Sequence, residues 1–194
     1  AVLIRAVAQA TADGLATVAD QMEKPGGTQA ANLRVAENYL EELTQMSQDD
    51  KVVAIGEIGL DYHYDLSPRD IQKNVFRQQM ELAKQLHLPV VIHSREATQD
   101  TLEVLNEFPE VTGVIHCFSG SAETAKQLLN MGYYIGFTGV ITFKNAKKTV
   151  SAAEVVPLDQ MLIETDCPYM APVPCRGKRC DSTMLPYTVE KLAE

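Results

Sequence analysis

The sequence predicts an α/β fold with a parallel sheet covered by helices, and two observations carry that prediction. From residue 52 onward, short uninterrupted apolar runs alternate with amphipathic helical stretches, which is the pattern of strands buried on both faces. Several of the runs give way at once to a histidine or carboxylate, as expected where strand ends of a parallel sheet or barrel gather an active site on one face. No repeat, low-complexity tract or linker divides the alternation, so residues 1–194 read as one domain with an atypical segment at 1–28.

Val2 to Ile4 is a candidate short strand. Val7, Leu15, Val18 and Met22 form a weak helical stripe that Gly14 interrupts and Pro25-Gly26-Gly27 ends. Leu33, Ala36, Leu40 and Leu43 recur at helical spacing and predict a helix over 29–47. The apolar run Val52-Val53-Ala54-Ile55 predicts a strand, ending at Gly56-Glu57-Ile58-Gly59. Ser67-Pro68-Arg69-Asp70 supplies an N-cap, a first-turn proline and an acid. The helix it starts runs to about Leu86, with Ile71, Val75, Met80 and Ala83 inward. Pro89-Val90-Val91-Ile92 leads to His93, and a helix follows near 97–107. Gly113-Val114-Ile115 leads to His116. Ser121 caps a helix through Leu129, closed by Gly132. Tyr133 to Phe137 is a strand, 145–155 a helix, and Met161-Leu162-Ile163 a strand ending at Glu164-Thr165-Asp166. A last helix spans 182–192.

Composition narrows the function classes. Apolar residues are 45% of the chain and charged residues 22%, ordinary for a globular protein, and the formal net charge is −9. A free-standing electrostatic nucleic-acid binder is normally basic, so contact with phosphates would need a local basic loop or bound cations. No apolar stretch is long enough for a membrane helix. Cys117, Cys167, Cys175 and Cys180 form no CxxC pair and read as free thiols of a reducing compartment, which predicts a cytoplasmic protein. No targeting segment is visible, and the first residue is Ala.

Glu57, His93, His116 and Asp166 each follow an apolar run, so the fold can bring them together although no local motif joins them. Two imidazoles and two carboxylates suit Zn²⁺, Mn²⁺ or a similar ion, and a carboxylate can bridge a pair. Such a pair activates water and stabilises charge on a phosphoryl oxygen. His63 lies in the polar aromatic loop Asp61-Tyr62-His63-Tyr64-Asp65 and can reach the site mouth, as can Arg95. Arg176-Gly177-Lys178-Arg179 is the densest basic cluster and a candidate for holding substrate phosphates. His87 ends a helix and receives no chemical role. Ser94 and Ser119 lack a His-Asp relay, and neither a P-loop nor a GxGxxG motif is present.

At these residues the chain resembles the TatD family of metal-dependent deoxyribonucleases. The matching stretches are Val53 to Tyr62, Pro89 to Arg95, Gly113 to Gly120, Ile163 to Tyr169 and the Arg176–Arg179 loop. The resemblance covers about residues 34–192. It implies a TIM-like (β/α) barrel, two divalent ions (Mg²⁺, Mn²⁺ or Zn²⁺) and hydrolysis of DNA phosphodiesters at single strands or 3′ ends. By the same resemblance Glu57 would bridge the ions, and His93 and His116 would complete the second site. Asp166 would hold the first ion and act as general base for in-line attack of water on phosphorus. From their positions along the sequence, Arg95, His63, Arg176, Lys178 and Arg179 are the candidates to meet substrate. The family's H-x-H pair has no counterpart here. Barrels of this kind usually take about 250 residues, so the expectation is a barrel incomplete at its N-terminus. The alternatives are the same scaffold hydrolysing another ester, such as an aminoacyl-tRNA, and a truncated non-catalytic relative.

Overall fold

The computed structural model describes residues 39–194. The strand at Val2–Ile4, the stripe at 7–22 and the beginning of the 29–47 helix lie outside the described residues. The chain continues from α1 (residues 39–46) through β1 (Ile55–Asp61), α2 (Arg69–Leu86), β2 (Val90–Arg95), α3 (Thr98–Asn106) and β3 (Gly113–Ile115). It then runs through α4 (Ala122–Asn130), β4 (Tyr134–Phe137), α5 (Lys147–Ala153), β5 (Met161–Ile163) and α6 (Leu185–Ala193). The five strands form one sheet in chain order, every neighbouring pair parallel. Strands that pair in sequence order, with a helix between each neighbouring two, are the repeating unit of a (β/α) barrel. The outer strand β5 leaves Leu162 and Ile163 each 41% exposed, so the sheet is apolar where a closed barrel would continue.

The core lies between sheet and helices. Ile58 and Leu60 of β1, Val90 and Ile92 of β2 and Ile135 and Phe137 of β4 are buried together with helical residues. Phe76, Met80 and Ala83 of α2 recur at the spacing of one helical face. Ile71, expected inward, is 44% exposed because it falls off the stripe that Phe76, Met80 and Ala83 define. The start of α2 also differs from expectation. Pro68, not Ser67, is the N-cap residue and offers no side-chain bond. The Gln72 amide instead reaches back to the Ser67 carbonyl at 2.8 Å. Ser121 does cap α4, accepting from the Thr124 N–H, and the turn beyond uses Gly132 at φ +86°.

The main correction concerns β1. The strand does not occupy 52–55 and stop at Gly56; it begins at Ile55 and runs to Asp61. Backbone pairing needs no apolar side chain. Gly59, Leu60 and Asp61 continue the ladder against His93, Ser94 and Arg95, with Ile58 and Leu60 buried on one face and Glu57 and Asp61 on the other. Glu57 and His93 therefore sit within strands rather than just past them, whereas His116 and Asp166 follow β3 and β5 as expected.

Candidate metal centre

The site grows from the alternation along β1 and β2. Glu57, Gly59 and Asp61 share one face, and parallel register sets Gly59 against His93. A side chain at Gly59 would place its Cβ 1.9 Å from the His93 carbonyl oxygen, so the close approach of the strands requires glycine there. His93 consequently lies between two carboxylates. Its Nδ1 is 2.9 Å from Glu57 Oε1 and its Nε2 is 3.2 Å from Asp61 Oδ2. Asp61 also accepts the backbone N–H groups of His63 and Tyr64, each at 2.9 Å. It thus ties the loop after β1 to the imidazole.

The second half comes from β3 and β5. His116 Nδ1 is 2.8 Å from Glu164 Oε2, and Glu164 Oε1 accepts the Cys117 N–H at 2.7 Å. The other ring nitrogen, Nε2, stands 3.7 Å from Asp166 Oδ1, an ion-pair distance longer than a hydrogen bond. Gly136 on the intervening strand makes room for this arrangement: a Cβ there would fall 2.1 Å from Glu164 Oε1.

Mutual proximity sets the charge states. Burial would lift the Glu57 carboxyl, but the bond from His93 and the charges of His116 and His93 hold it below the usual range. Burial likewise opposes ionisation of Asp61, and the Tyr64 N–H and His93 outweigh it. Asp166 is held low chiefly by His116, with His93 and Arg95 adding to the effect. Burial disfavours the imidazolium of His93, yet Glu57 and Asp61 raise its pKa. For His116 the same burial is overcome by Asp166 and Glu164, and its pKa is pushed up to about 10.

Glu57, His93, His116 and Asp166 are thus brought within electrostatic reach of one another. Among the described residues, no three such side chains already form a metal cage; imidazoles and carboxylates bond one another instead. The donor set nevertheless fits a divalent cation. It offers imidazole nitrogen and carboxylate oxygen, and Glu164 holds His116 from behind. A metal-ligating histidine characteristically gives its other N–H to a carboxylate in this way. Asp61 and Glu164 were not assigned roles from the sequence. The signal for Asp61 was its position two and four residues from Gly59 and Glu57; Glu164 offered only its place beside Asp166.

The remaining sequence candidates occupy the periphery. His63 Nδ1 pairs with Glu96 Oε1 at 2.8 Å and is exposed. The Arg95 guanidinium lies 4.8 Å over the Tyr64 ring and within reach of Asp166. Arg176 is tied to the Ala171 carbonyl at 2.9 Å and stacks 4.0 Å over Phe143. Lys178 and Arg179 are exposed on the same loop. All four cysteines are unpaired. Among the described residues, no helix is long and apolar enough to cross a membrane.

The chain matches the family described as TatD related DNase over residues 17–194. The chain belongs to the TatD family. It is similar to the uncharacterized metal-dependent hydrolase YabD of Bacillus subtilis (strain 168), 49% identical over 82% of this chain and 64% of that one. It is also similar to the uncharacterized metal-dependent hydrolase YcfH of Escherichia coli (strain K12), at 42% identity over 79% of this chain and 59% of that one. Among solved structures, YJJV, a TatD homolog from Escherichia coli k12, superposes with a TM-score of 0.76 at 35% identity. That comparison covers 81% of this chain and 62% of the other. A TatD family hydrolase from Entamoeba histolytica gives a TM-score of 0.61 at 36% identity, over 70% and 46%. The chain spans about three fifths of the length of the curated relatives named here.

Proposed function

We propose that this TatD family chain is a metal-dependent hydrolase of DNA phosphodiesters, acting on single strands or 3′ ends. The observation that carries the proposal is the convergence of two imidazole–carboxylate pairs, His93–Glu57 and His116–Asp166, on one edge of a parallel sheet. Each imidazole is held from outside by a further carboxylate. Glu57 lies within electrostatic reach of both imidazoles and would help hold the divalent cations. His93, His116 and Asp166 would complete the ligand set. Bound divalent cations would supply Lewis acidity toward a phosphoryl oxygen and make water more acidic.

The residues themselves do the rest. Asp61 and Glu164 fix the two rings, so little reorganisation remains at the moment of reaction. Asp166 stays ionised at neutral pH and is the base that takes the proton of the attacking water. Arg95, whose charge is felt at Asp166, would offset the developing negative charge, and His63 would meet substrate. Lys178 and Arg179 are exposed and available to substrate phosphates, offsetting the repulsion of an acidic chain. The four unpaired thiols suit a reducing, cytoplasmic setting.

The test is nucleotide release from 3′-labelled single-stranded DNA with Mg²⁺ or Mn²⁺, with EDTA, and with Asp166→Ala. Release that needs the metal and falls at least about 100-fold in the variant is expected. Release indifferent to EDTA, or none from the folded chain, contradicts the proposal.

A further inference from the structure

A cleft of about 450 Å³ has a lining that includes none of the metal-centre residues. Its floor is apolar, from Ile141, Phe143 and Val150, and its rim carries Lys144, Lys147 and Lys191. Lys144 and Lys147 are exposed and make no ion pair among the described residues. Lys191 pairs with Glu194.

The cleft is not isolated from the site. A 3-10 turn, Gly139–Thr142, leaves the C-terminal end of β4, on the edge of the sheet that carries His116 and Asp166, and leads into Phe143 and Lys144. The loop after Asp166 packs on that turn: the Val173 N–H donates to Thr142 Oγ1 at 2.8 Å. Arg176 from this loop stacks on Phe143, the cleft floor. Residues 144–148 and 176–179 together hold six of the chain's seventeen lysines and arginines and no acid, although the net charge is −9. The stacking of Arg176 on Phe143 joins these two cationic segments.

We propose that this cleft is a second phosphate-contact site, which engages the backbone of single-stranded DNA beyond the nucleotide at the metal centre, with Arg176 bridging the two. The inference rests on the phosphodiesterase reading above. An apolar floor beneath a cationic rim suits a nucleotide chain better than a bare anion, because bases contribute apolar contact while the lysines meet phosphates. Arg176, read from sequence as a substrate residue, is thereby assigned to that bridge rather than to the reacting phosphate.

The experiment measures fluorescence anisotropy of a labelled single-stranded oligonucleotide in EDTA, across a salt series. It compares the chain with Lys144→Ala/Lys147→Ala and with Lys51→Ala, an exposed control ahead of β1. Each lost contact lowers the salt slope by about 0.7 for single strands, so the double variant should lose about 1.4, roughly 25-fold in affinity near 0.1 M salt. The control should match the unaltered chain. A double variant with unchanged slope and affinity overturns the proposal, as does equal competition by oligo-aspartate of matched charge. Cleavage of bis(p-nitrophenyl) phosphate with Mn²⁺ separates the two ideas, since its single phosphate cannot span both sites. Cleavage with no effect of the lysines on binding defeats only the second site. Lysine-dependent binding without cleavage defeats the hydrolase reading and leaves the cleft as a DNA contact.

Discussion

Replacing Glu164 by Gln tests the part of the site that only the structure revealed. The carboxylate receives two short bonds, from His116 Nδ1 at 2.8 Å and from the Cys117 N–H at 2.7 Å. Its side chain is 18% exposed, and Gly136 lies close behind it. Glutamine keeps a single acceptor oxygen and turns an NH₂ group toward a second donor. One buried donor is then unpaired, and the charge is gone. A bond to a charged group contributes about 1.5–3 kcal/mol, and orphaning its partner costs about as much. Metal-free stability should therefore fall by about 2–3 kcal/mol. Outer carboxylates on metal-bound histidines typically contribute 10–100-fold in affinity. The variant His116 also binds its proton less tightly, which partly offsets the loss, so about tenfold is the expected weakening. Calorimetric titration with Mn²⁺ near neutral pH, beside denaturant unfolding in EDTA, reads both quantities. Mn²⁺ affinity within twofold of the unaltered chain, with an unchanged unfolding midpoint, would refute the reasoning.

Two further outcomes follow from the same geometry. Gly136→Ala should weaken Mn²⁺ binding in the same assay, because its Cβ would meet Glu164 Oε1 at 2.1 Å and displace the carboxylate from His116; tight binding retained in this variant would show that Glu164 is not needed there. The metal-free chain should lose stability as pH rises from neutrality through about 10. The pKa of His116 is raised on folding, so its stabilisation is complete below its ordinary pKa of about 6.5 and disappears above the folded value, by at most about 1.4 kcal/mol per pH unit. Thermal unfolding in EDTA across this range should show the decline, and His116→Asn should flatten it.

Much of this site was legible before the structure. β5 and the capped start of α4 carry local signals, an apolar run closed by acids and a serine three residues before the N–H it caps. His116 and Asp166 could therefore be placed at strand ends from pattern alone. The polarity of Gly56-Glu57 was misleading at β1, because a sheet ladder tolerates polar side chains on the face that lines a site. The roles of Asp61 and Glu164 were hidden for another reason. Each acts on a ring from a distant part of the chain, 32 and 48 residues away, and only tertiary register decides which carboxylate meets which nitrogen. Arg176 was legible as a cation, but its stacking on Phe143 is a long-range contact that no local pattern encodes.

The central claim is that Glu57, His93, His116 and Asp166 hold divalent cation. Equilibrium dialysis of the 194-residue chain against Mn²⁺, with metal content measured per folded chain, tests it most directly. At least one bound ion per chain is predicted, lost in His93→Ala/His116→Ala while circular dichroism still reports a folded protein. No stoichiometric binding by the folded chain, or binding undiminished by the double substitution, would contradict the claim.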